Sequence, residues 1–193
     1  SCDNITSIFC YNDTLVNYRQ SNNSKKFILS PDEITSHPQT LIDRGLLYHN
    51  ILQQIKTTED IDSEIDKVID TFNGMGCFET CAQKKEASRH LHEAFTNDIV
   101  RDWFNTKWEV LNERAILYKD DNGRVTEKRP DRVITSRNRD TAIVIDYKTG
   151  EEQKNAHTKQ IKTYMGLIEQ IGYKNVKGYI WYVLDGKIEE CSR

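Results

Sequence analysis

The sequence predicts an α/β protein in which a mixed central β-sheet is flanked by helices, with a helical portion on its N-terminal side. Apolar residues recur at helical spacing over about residues 38–105, and the pattern changes to strand-like alternation near Trp108. Helical spacing returns between two later strands, at about residues 156–171. A chain of 193 residues is long enough for one domain with a buried core.

The first part of the chain divides into a polar segment and a helical portion. Residues 1–35 are rich in Asn and Ser, and we expect a peripheral segment with one short candidate strand at 27–29, whereas residues 36–193 should form the main domain. Helices are predicted over about 38–56, from an N-cap at Thr58 to the glycines at 74 and 76, and over about 79–105, the last in one or two pieces.

Strands dominate the second part. They are predicted at about 108–118, 124–135, 142–148 and 176–184, with a short fifth strand after the Asp-Gly turn at 185–186. The segment Asp-Asp-Asn-Gly at 120–123 is typical of a hairpin turn, and residues 136–140 form a second polar turn. With the helix at 156–171, which ends at Gly172, the predicted order after the helices is β-β-β-α-β-β.

Composition excludes several classes of protein. Only 9 Gly and 3 Pro occur, and hydrophobic residues make up 37%, which excludes collagen-like and wholly disordered chains. The longest uncharged apolar run, 178–184, is much shorter than a membrane span, and no signal-peptide pattern begins the sequence. Five cysteines without a C-x-x-C pair favour a reducing compartment, so we expect a cytoplasmic protein.

Charge is unevenly distributed along the chain, whose net charge is -3. Residues 1–123 carry 13 basic and 20 acidic side chains, whereas residues 124–193 carry 14 basic and 10 acidic ones. The C-terminal third, with a net charge of +4, is therefore the better place for an anionic partner. Ordinary scatter of surface charge would also explain a difference of this size.

Asp146 and Lys148 are the first candidates for chemistry. They are two residues apart on a strand rich in β-branched residues, so both side chains should lie on one face of the sheet. The presence of a carboxylate and an amine on a mostly buried strand requires an explanation, because unpaired buried charges are costly. The alternative is a solvated strand end, because Thr149 and Gly150 already leave the sheet.

Asp131, on the preceding strand, strengthens the functional interpretation. Two antiparallel neighbours can bring Asp131 and Asp146 within reach of one divalent cation, and carboxylate oxygens are ligands that suit Mg²⁺ or Mn²⁺. Pro130 favours a bulge or an edge position there, where a side chain can be re-aimed.

These residues resemble the signature of the PD-(D/E)xK nucleases, and the surrounding sequence resembles their RecB-type branch, the nuclease domains of DNA-repair helicases. The similar segments are Arg-Pro-Asp-Arg-Val at 129–133, Ile-Val-Ile-Asp-Tyr-Lys-Thr-Gly at 143–150 and Gln160-x-x-x-Tyr164. A further element of that branch, Gly-x-x-x-His-x-x-Leu, matches Gly45, His49 and Leu52, which share one helical face. Glycine is unfavourable inside a helix, so its presence at position 45 predicts a close-packing contact there.

The resemblance, which covers about residues 41–184, implies a site residue by residue. His49, Asp131 and Asp146 would bind Mg²⁺ or Mn²⁺, with the Tyr147 carbonyl as a further ligand. Lys148 would orient the attacking water and stabilise charge on the phosphate. Gln160 and Tyr164 would brace the site or touch the DNA backbone. Glu113 lies where the family often has an acidic residue, although a structural salt bridge explains it equally well.

The resemblance also implies a restriction-endonuclease-like core and a function. The expected function is metal-dependent cleavage of DNA, as an exonuclease in repair or recombination, with a helicase domain or subunit as partner. One alternative is a catalytically inactive DNA-binding or scaffolding module, against which the His, both Asp and the Lys argue. Another is a restriction-type endonuclease, which would require a base-reading element that the sequence does not show.

Overall fold

The computed structural model describes residues 7–8, 39–112, 114–119, 122–149 and 154–192. Five helices occur in these ranges: α1 (Gln39–Gln54), α2 (Ile61–Gly74), α3 (Cys81–Ala94), α4 (Asp98–Trp103) and α5 (Lys154–Gln170). The strands are β1 (Ser7–Ile8), β2 (Trp108–Asn112), β3 (Ile116–Lys119), β4 (Val125–Lys128), β5 (Arg132–Ser136), β6 (Thr141–Lys148), β7 (Asn175–Tyr182) and β8 (Lys187–Cys191).

The central sheet has five strands in the order β2-β5-β6-β7-β8. Strands β6 and β7 are parallel, joined by α5, and the other neighbours are antiparallel. This mixed sheet with flanking helices confirms the predicted fold class. A smaller sheet, β1-β3-β4, is formed by the β3–β4 hairpin and the short strand β1.

Apolar residues form two core clusters, and alternate residues of β6 belong to one or the other. Ile143, Ile145 and Tyr147 belong to the cluster formed with α1 to α4. Ala142 and Val144 belong to the cluster formed with α5. Because β6 is covered by apolar residues on both faces, a charged side chain on it can reach solvent only near the ends of the strand.

The N-terminal helices form for the reasons that the sequence indicates. The buried residues of α2 are Ile61, Ile65, Val68, Ile69 and Phe72, as predicted from their spacing. The N-cap, however, is Asp60 and not Thr58. The Asp60 side chain accepts a hydrogen bond from the Ser63 N–H, while the Thr58 hydroxyl oxygen accepts one from the Asp60 N–H. Both Thr58 and Asp60 are suitable N-cap residues, but only Asp60 accepts a hydrogen bond from the free amide at N3.

Two predicted strands are each divided between the sheets. The segment 108–118 contains β2 of the central sheet and β3 of the small one, and 124–135 likewise contains β4 and β5. The second break falls at Pro130 and Asp131, where proline has no N–H to donate to a ladder. The predicted order β-β-β-α-β-β is therefore wrong, because each of its first two strands is two strands in the structure.

Other predictions of local structure are confirmed where the chain is described. Gly123, in the hairpin turn, and Gly172, after α5, have φ angles of 75° and 115°, a region that favours glycine. The candidate strand 27–29 and the turn residues Asp120 and Asp121 lie outside the described residues. Among the helices described, none has the length and apolar content needed to cross a bilayer.

A charged cluster on the surface joins α2 to α3. His92 Nδ1 lies 3.2 Å from Asp62 Oδ1, and its Nε2 lies 3.0 Å from Asp66 Oδ1, while Arg101 Nη2 binds Asp62 at 2.8 Å. The hydrogen bond with Asp66, aided by Asp62 and the charge of both carboxylates and opposed by partial burial, raises the pKa of His92. The protonated imidazole can donate to both carboxylates at once.

The cluster predicts a pH-dependent stability. Because the folded-state pKa of His92 is raised, its contribution should be complete below about pH 6.5 and should disappear as pH rises through the folded pKa. We expect wild type to exceed His92→Gln by at most about 1 kcal/mol at the acidic end, since these side chains are partly exposed. Urea unfolding of both proteins from pH 5.5 to 8 measures the difference, and a constant difference would contradict the prediction.

Candidate active site

Asp146 and Lys148 lie at the C-terminal end of β6, on the same face, as predicted from the period of the strand. The Asp146 side chain is 2% exposed and that of Lys148 is 21% exposed. The Lys148 ammonium forms an ion pair with Asp146 Oδ2. The carboxylate is therefore buried, while the Lys148 side chain is partly exposed.

Asp131 lies immediately before β5, beside Asp146. The antiparallel pairing of β5 and β6 ends with Arg132 opposite Ile145, so the next residue on each strand is one of the two aspartates. Asp131 Oδ2 accepts a hydrogen bond of 2.7 Å from the Tyr147 N–H. The backbone of the strand that carries Asp146 thus fixes the second carboxylate.

His49 reaches the same place from α1. Its Nδ1 lies 3.6 Å from Asp131 Oδ1, and its ring meets the Tyr147 ring edge-on at a centroid distance of 5.6 Å. On the same helical face, Leu52 is fully buried, and a Cβ at Gly45 would clash with Thr149 Oγ1. The close-packing contact expected for Gly45 is confirmed, and it places α1 directly against the end of β6.

The charges gathered at this strand end shift the pKa values of Asp146 and His49. Burial and the charge of Asp131 raise the pKa of Asp146 to about 6, against the opposing effects of Lys148 and His49. Burial lowers the pKa of His49, but the contact with Asp131 and the charges of Asp131 and Asp146 outweigh it and raise the pKa overall. Strongly perturbed groups in mutual contact are typical of functional sites.

Gln160 and Tyr164 brace the segment that presents Asp131. Gln160 Nε2 donates a hydrogen bond of 2.9 Å to the Tyr164 hydroxyl, which donates one of 3.2 Å to the Arg129 carbonyl. Arg129 precedes Pro130 and Asp131, so α5 is tied to the break between β4 and β5. Whether either residue also touches the DNA backbone stays a prediction.

Comparison with models of known protein families identifies the family of the chain. The family model described as PD-(D/E)XK nuclease superfamily matches residues 22–191, most of the chain. The chain belongs to the PD-(D/E)XK nuclease superfamily. A comparison with curated proteins returned no match. The five-stranded mixed sheet with its helices is consistent with the restriction-endonuclease-like fold of that superfamily.

Nucleases of the PD-(D/E)XK superfamily generally use divalent metal ions. Among the residues that the structure describes, no three His, Cys, Asp or Glu side chains are already grouped as a metal cage. The donor chemistry nevertheless fits a divalent cation. Two aspartates and one imidazole interact at one strand end, and the charge of Asp131 raises the pKa of Asp146, a repulsion that a cation would relieve.

Two predicted residues need separate mention. Tyr147 contributes its N–H to Asp131 and buries its ring against His49, whereas the role of its carbonyl as a metal ligand stays a prediction. Glu113 lies outside the described residues.

Sequence reasoning singled out neither Arg132 nor Asn112, and it interpreted His157 as a solvent-exposed histidine. His157 lies on α5, and its Nδ1 is 3.3 Å from the Tyr182 hydroxyl. Burial and, to a smaller extent, the charge of Lys148 lower the pKa of His157. Buried Arg132, which directly follows Asp131, donates a hydrogen bond to the half-buried Asn112 side chain. A charged residue heading an otherwise apolar strand, Arg132 before Val133 and Ile134, was the available signal.

The bracing contact leads to a prediction for Tyr164. Tyr164→Phe keeps the ring but loses the hydrogen bond to the Arg129 carbonyl, which contributes about 1 kcal/mol. We expect cleavage to fall by about fivefold and the melting temperature by about 2–4 °C. Tyr173→Phe removes a hydroxyl at the edge of the same core cluster and serves as the matched control in steady-state kinetics. Equal activities of the two variants would show that the contact does not position Asp131.

Proposed function

We propose that the chain is a divalent-metal-dependent deoxyribonuclease of the RecB type, an exonuclease acting in DNA repair or recombination together with a helicase. The observation that carries this proposal is the convergence of His49, Asp131, Asp146 and Lys148 at one strand end, with Asp131 fixed by the Tyr147 N–H. The order and spacing of these residues, together with Gln160 and Tyr164, support the RecB-type branch.

In the proposed mechanism, His49, Asp131 and Asp146 would hold Mg²⁺ or Mn²⁺, with the Tyr147 carbonyl as a further ligand. Such an ion screens the charge of a phosphodiester and lowers the pKa of an attacking water. Lys148, partly exposed and paired with a buried carboxylate, places a fixed cation where negative charge develops on the phosphate. Gln160 and Tyr164 keep the Asp131 segment in place.

Cleavage of labelled DNA tests the proposal. Wild-type protein is incubated with end-labelled linear DNA and with closed circular DNA, in Mg²⁺, Mn²⁺ or EDTA. We expect digestion of the linear DNA only, with either metal, and none in EDTA. Cleavage of the circle would favour an endonuclease, and inactivity on both substrates with either metal would favour the inactive binding or scaffolding module.

We infer a helicase partner, fused or separate, from the net charge of the chain. Phosphate contacts dominate affinity for DNA, yet the chain has a net charge of -3, and residues 124–193 carry only +4. Exposed lysines on α5, such as Lys159 and Lys162, are available for backbone contacts. A surface of this kind should hold DNA weakly, so processive digestion would require a partner that delivers the strand.

Weak binding can be measured directly. With Ca²⁺ in place of the active metal, we expect the isolated chain to bind linear DNA with a Kd of about 1–100 µM, weakening further as salt is raised. Product lengths under cleavage conditions should show dissociation after short runs. Nanomolar binding with long processive runs by the chain alone would rule out the need for a delivering partner.

A further inference from the structure

Arg132 follows Asp131 directly and is fully buried at the start of β5. Its Nη1 donates to the Ile55 carbonyl at 2.9 Å, and its Nη2 donates to the carbonyls of Lys56 at 2.6 Å and Trp103 at 3.3 Å. Its guanidinium stacks on the Phe104 ring at 3.7 Å from the ring centroid. A buried cation is thus satisfied mainly by carbonyl oxygens that follow α1 and end α4.

Asn112 completes the contact from the neighbouring strand. It lies opposite Arg132 in the β2–β5 ladder and accepts a hydrogen bond of 3.3 Å from Arg132 Nη1. Its own Nδ2 donates to the Gln53 carbonyl at 2.7 Å. Besides the Trp103 carbonyl, the two side chains together bind three carbonyls at the C-terminal end of α1, those of residues 53, 55 and 56. The last carbonyls of a helix have no partners within the helix, and its C-terminus attracts a cation.

We propose that Arg132 and Asn112 are positioning residues that set the separation of His49 and Asp131. This inference rests on the proposed function, in which those two side chains hold a metal ion. Asp131 is the residue next to Arg132 in the chain, and His49 lies four residues before Gln53 on the anchored helix. The path from the anchor to either group is therefore short and stiff.

A separate contact holds α1 on the N-terminal side of His49. Gly45 packs against Thr149, which follows Lys148, so α1 is held at Gly45 and again after Gln53. His49 lies between the two attachments. If the second attachment is lost, α1 can pivot at Gly45, and the distance between His49 and Asp131, now 3.6 Å, is no longer fixed.

Mn²⁺ affinity distinguishes positioning from general stability. Calorimetric titration should show Arg132→Lys and Asn112→Ala binding Mn²⁺ about 10-fold or more weakly than wild type, as supporting residues around metal ligands typically do. The matched control is Val133→Ala, a buried change on the same strand whose side chain belongs to the other core cluster. It should lower the melting temperature while keeping the affinity of the wild type. Equal loss of affinity in the control would overturn the proposal.

Hydrogen exchange gives a readout that needs no metal. Asn112→Ala should speed exchange in α1 and leave α5 unchanged, and it keeps the test valid if Arg132→Lys fails to fold. If wild type itself binds no Mn²⁺, the proposed function fails, and the anchor is judged by exchange alone. Unchanged protection of α1 in Asn112→Ala would then overturn the anchoring role.

Discussion

Lys148→Ala is expected to lower kcat for DNA cleavage by about 10²- to 10³-fold while Mn²⁺ still binds. One preorganised donor at a site of developing charge contributes an effect of that size. Lys148 is not a proposed metal ligand, and its ammonium pairs with Asp146, so its removal takes away a cation and leaves the carboxylate available. Single-turnover cleavage and calorimetric Mn²⁺ titration measure the two effects separately.

The control for this variant lies at the other end of β6. Lys174 pairs with Asp140 at 3.6 Å on the surface, and Lys174→Ala removes the same charge far from the site. Since Lys148 lowers the pKa of Asp146, its loss raises that pKa further, and the assays should be run at about pH 8 to keep the carboxylate ionised. Near-normal cleavage by Lys148→Ala would show that the lysine has no part in the chemical step.

Periodicity predicts the elements of this chain better than their membership in a sheet. The buried spacing of α2 and the alternation of β6 follow from the sequence because each depends on neighbouring residues. The division of 108–118 and 124–135 between two sheets does not, since an alternating segment fits either sheet equally well. Pro130 is the local sign of the second division.

The candidate site was predictable to differing degrees. Asp146 and Lys148 share a face because strands have a period of two, and the hairpin-like order of β5 and β6 brings Asp131 beside them. The approach of His49 could be expected only from the resemblance. It depends on how α1 docks against the end of β6, which no local pattern specifies.

Arg132 shows why the supporting contacts escaped prediction. An arginine in a strand is normally interpreted as solvent-exposed, because burial of an unpaired charge is costly. Here its oxygen partners come from chain positions 29 and 77 residues away, at the ends of two helices. Such a partner set exists only once the helices have packed on the sheet, so sequence spacing carries no trace of it.

Asp146→Ala is expected to abolish the stabilisation of the protein by Mn²⁺. Ligand bound only to the folded state stabilises it by about 2.7 kcal/mol at a concentration 100-fold above Kd, which for a chain of this size corresponds to about 5–10 °C in Tm. Among the three side chains proposed as ligands, Asp146 is the most buried, at 2% exposure against 25% for His49 and 20% for Asp131, and the charges of both affect its pKa. Thermal unfolding with and without Mn²⁺ measures the shift.

The matched variant is Asp140→Ala, which removes a carboxylate from the surface pair at the opposite end of β6 and should keep the full Mn²⁺ shift. This control matters because the chain has 30 acidic residues that can bind Mn²⁺ weakly. Weak surface binding would stabilise both variants equally. If Asp146→Ala keeps the same Mn²⁺ shift as wild type and Asp140→Ala, the metal binds away from the end of β6. His49 and Asp131 would then not be its ligands.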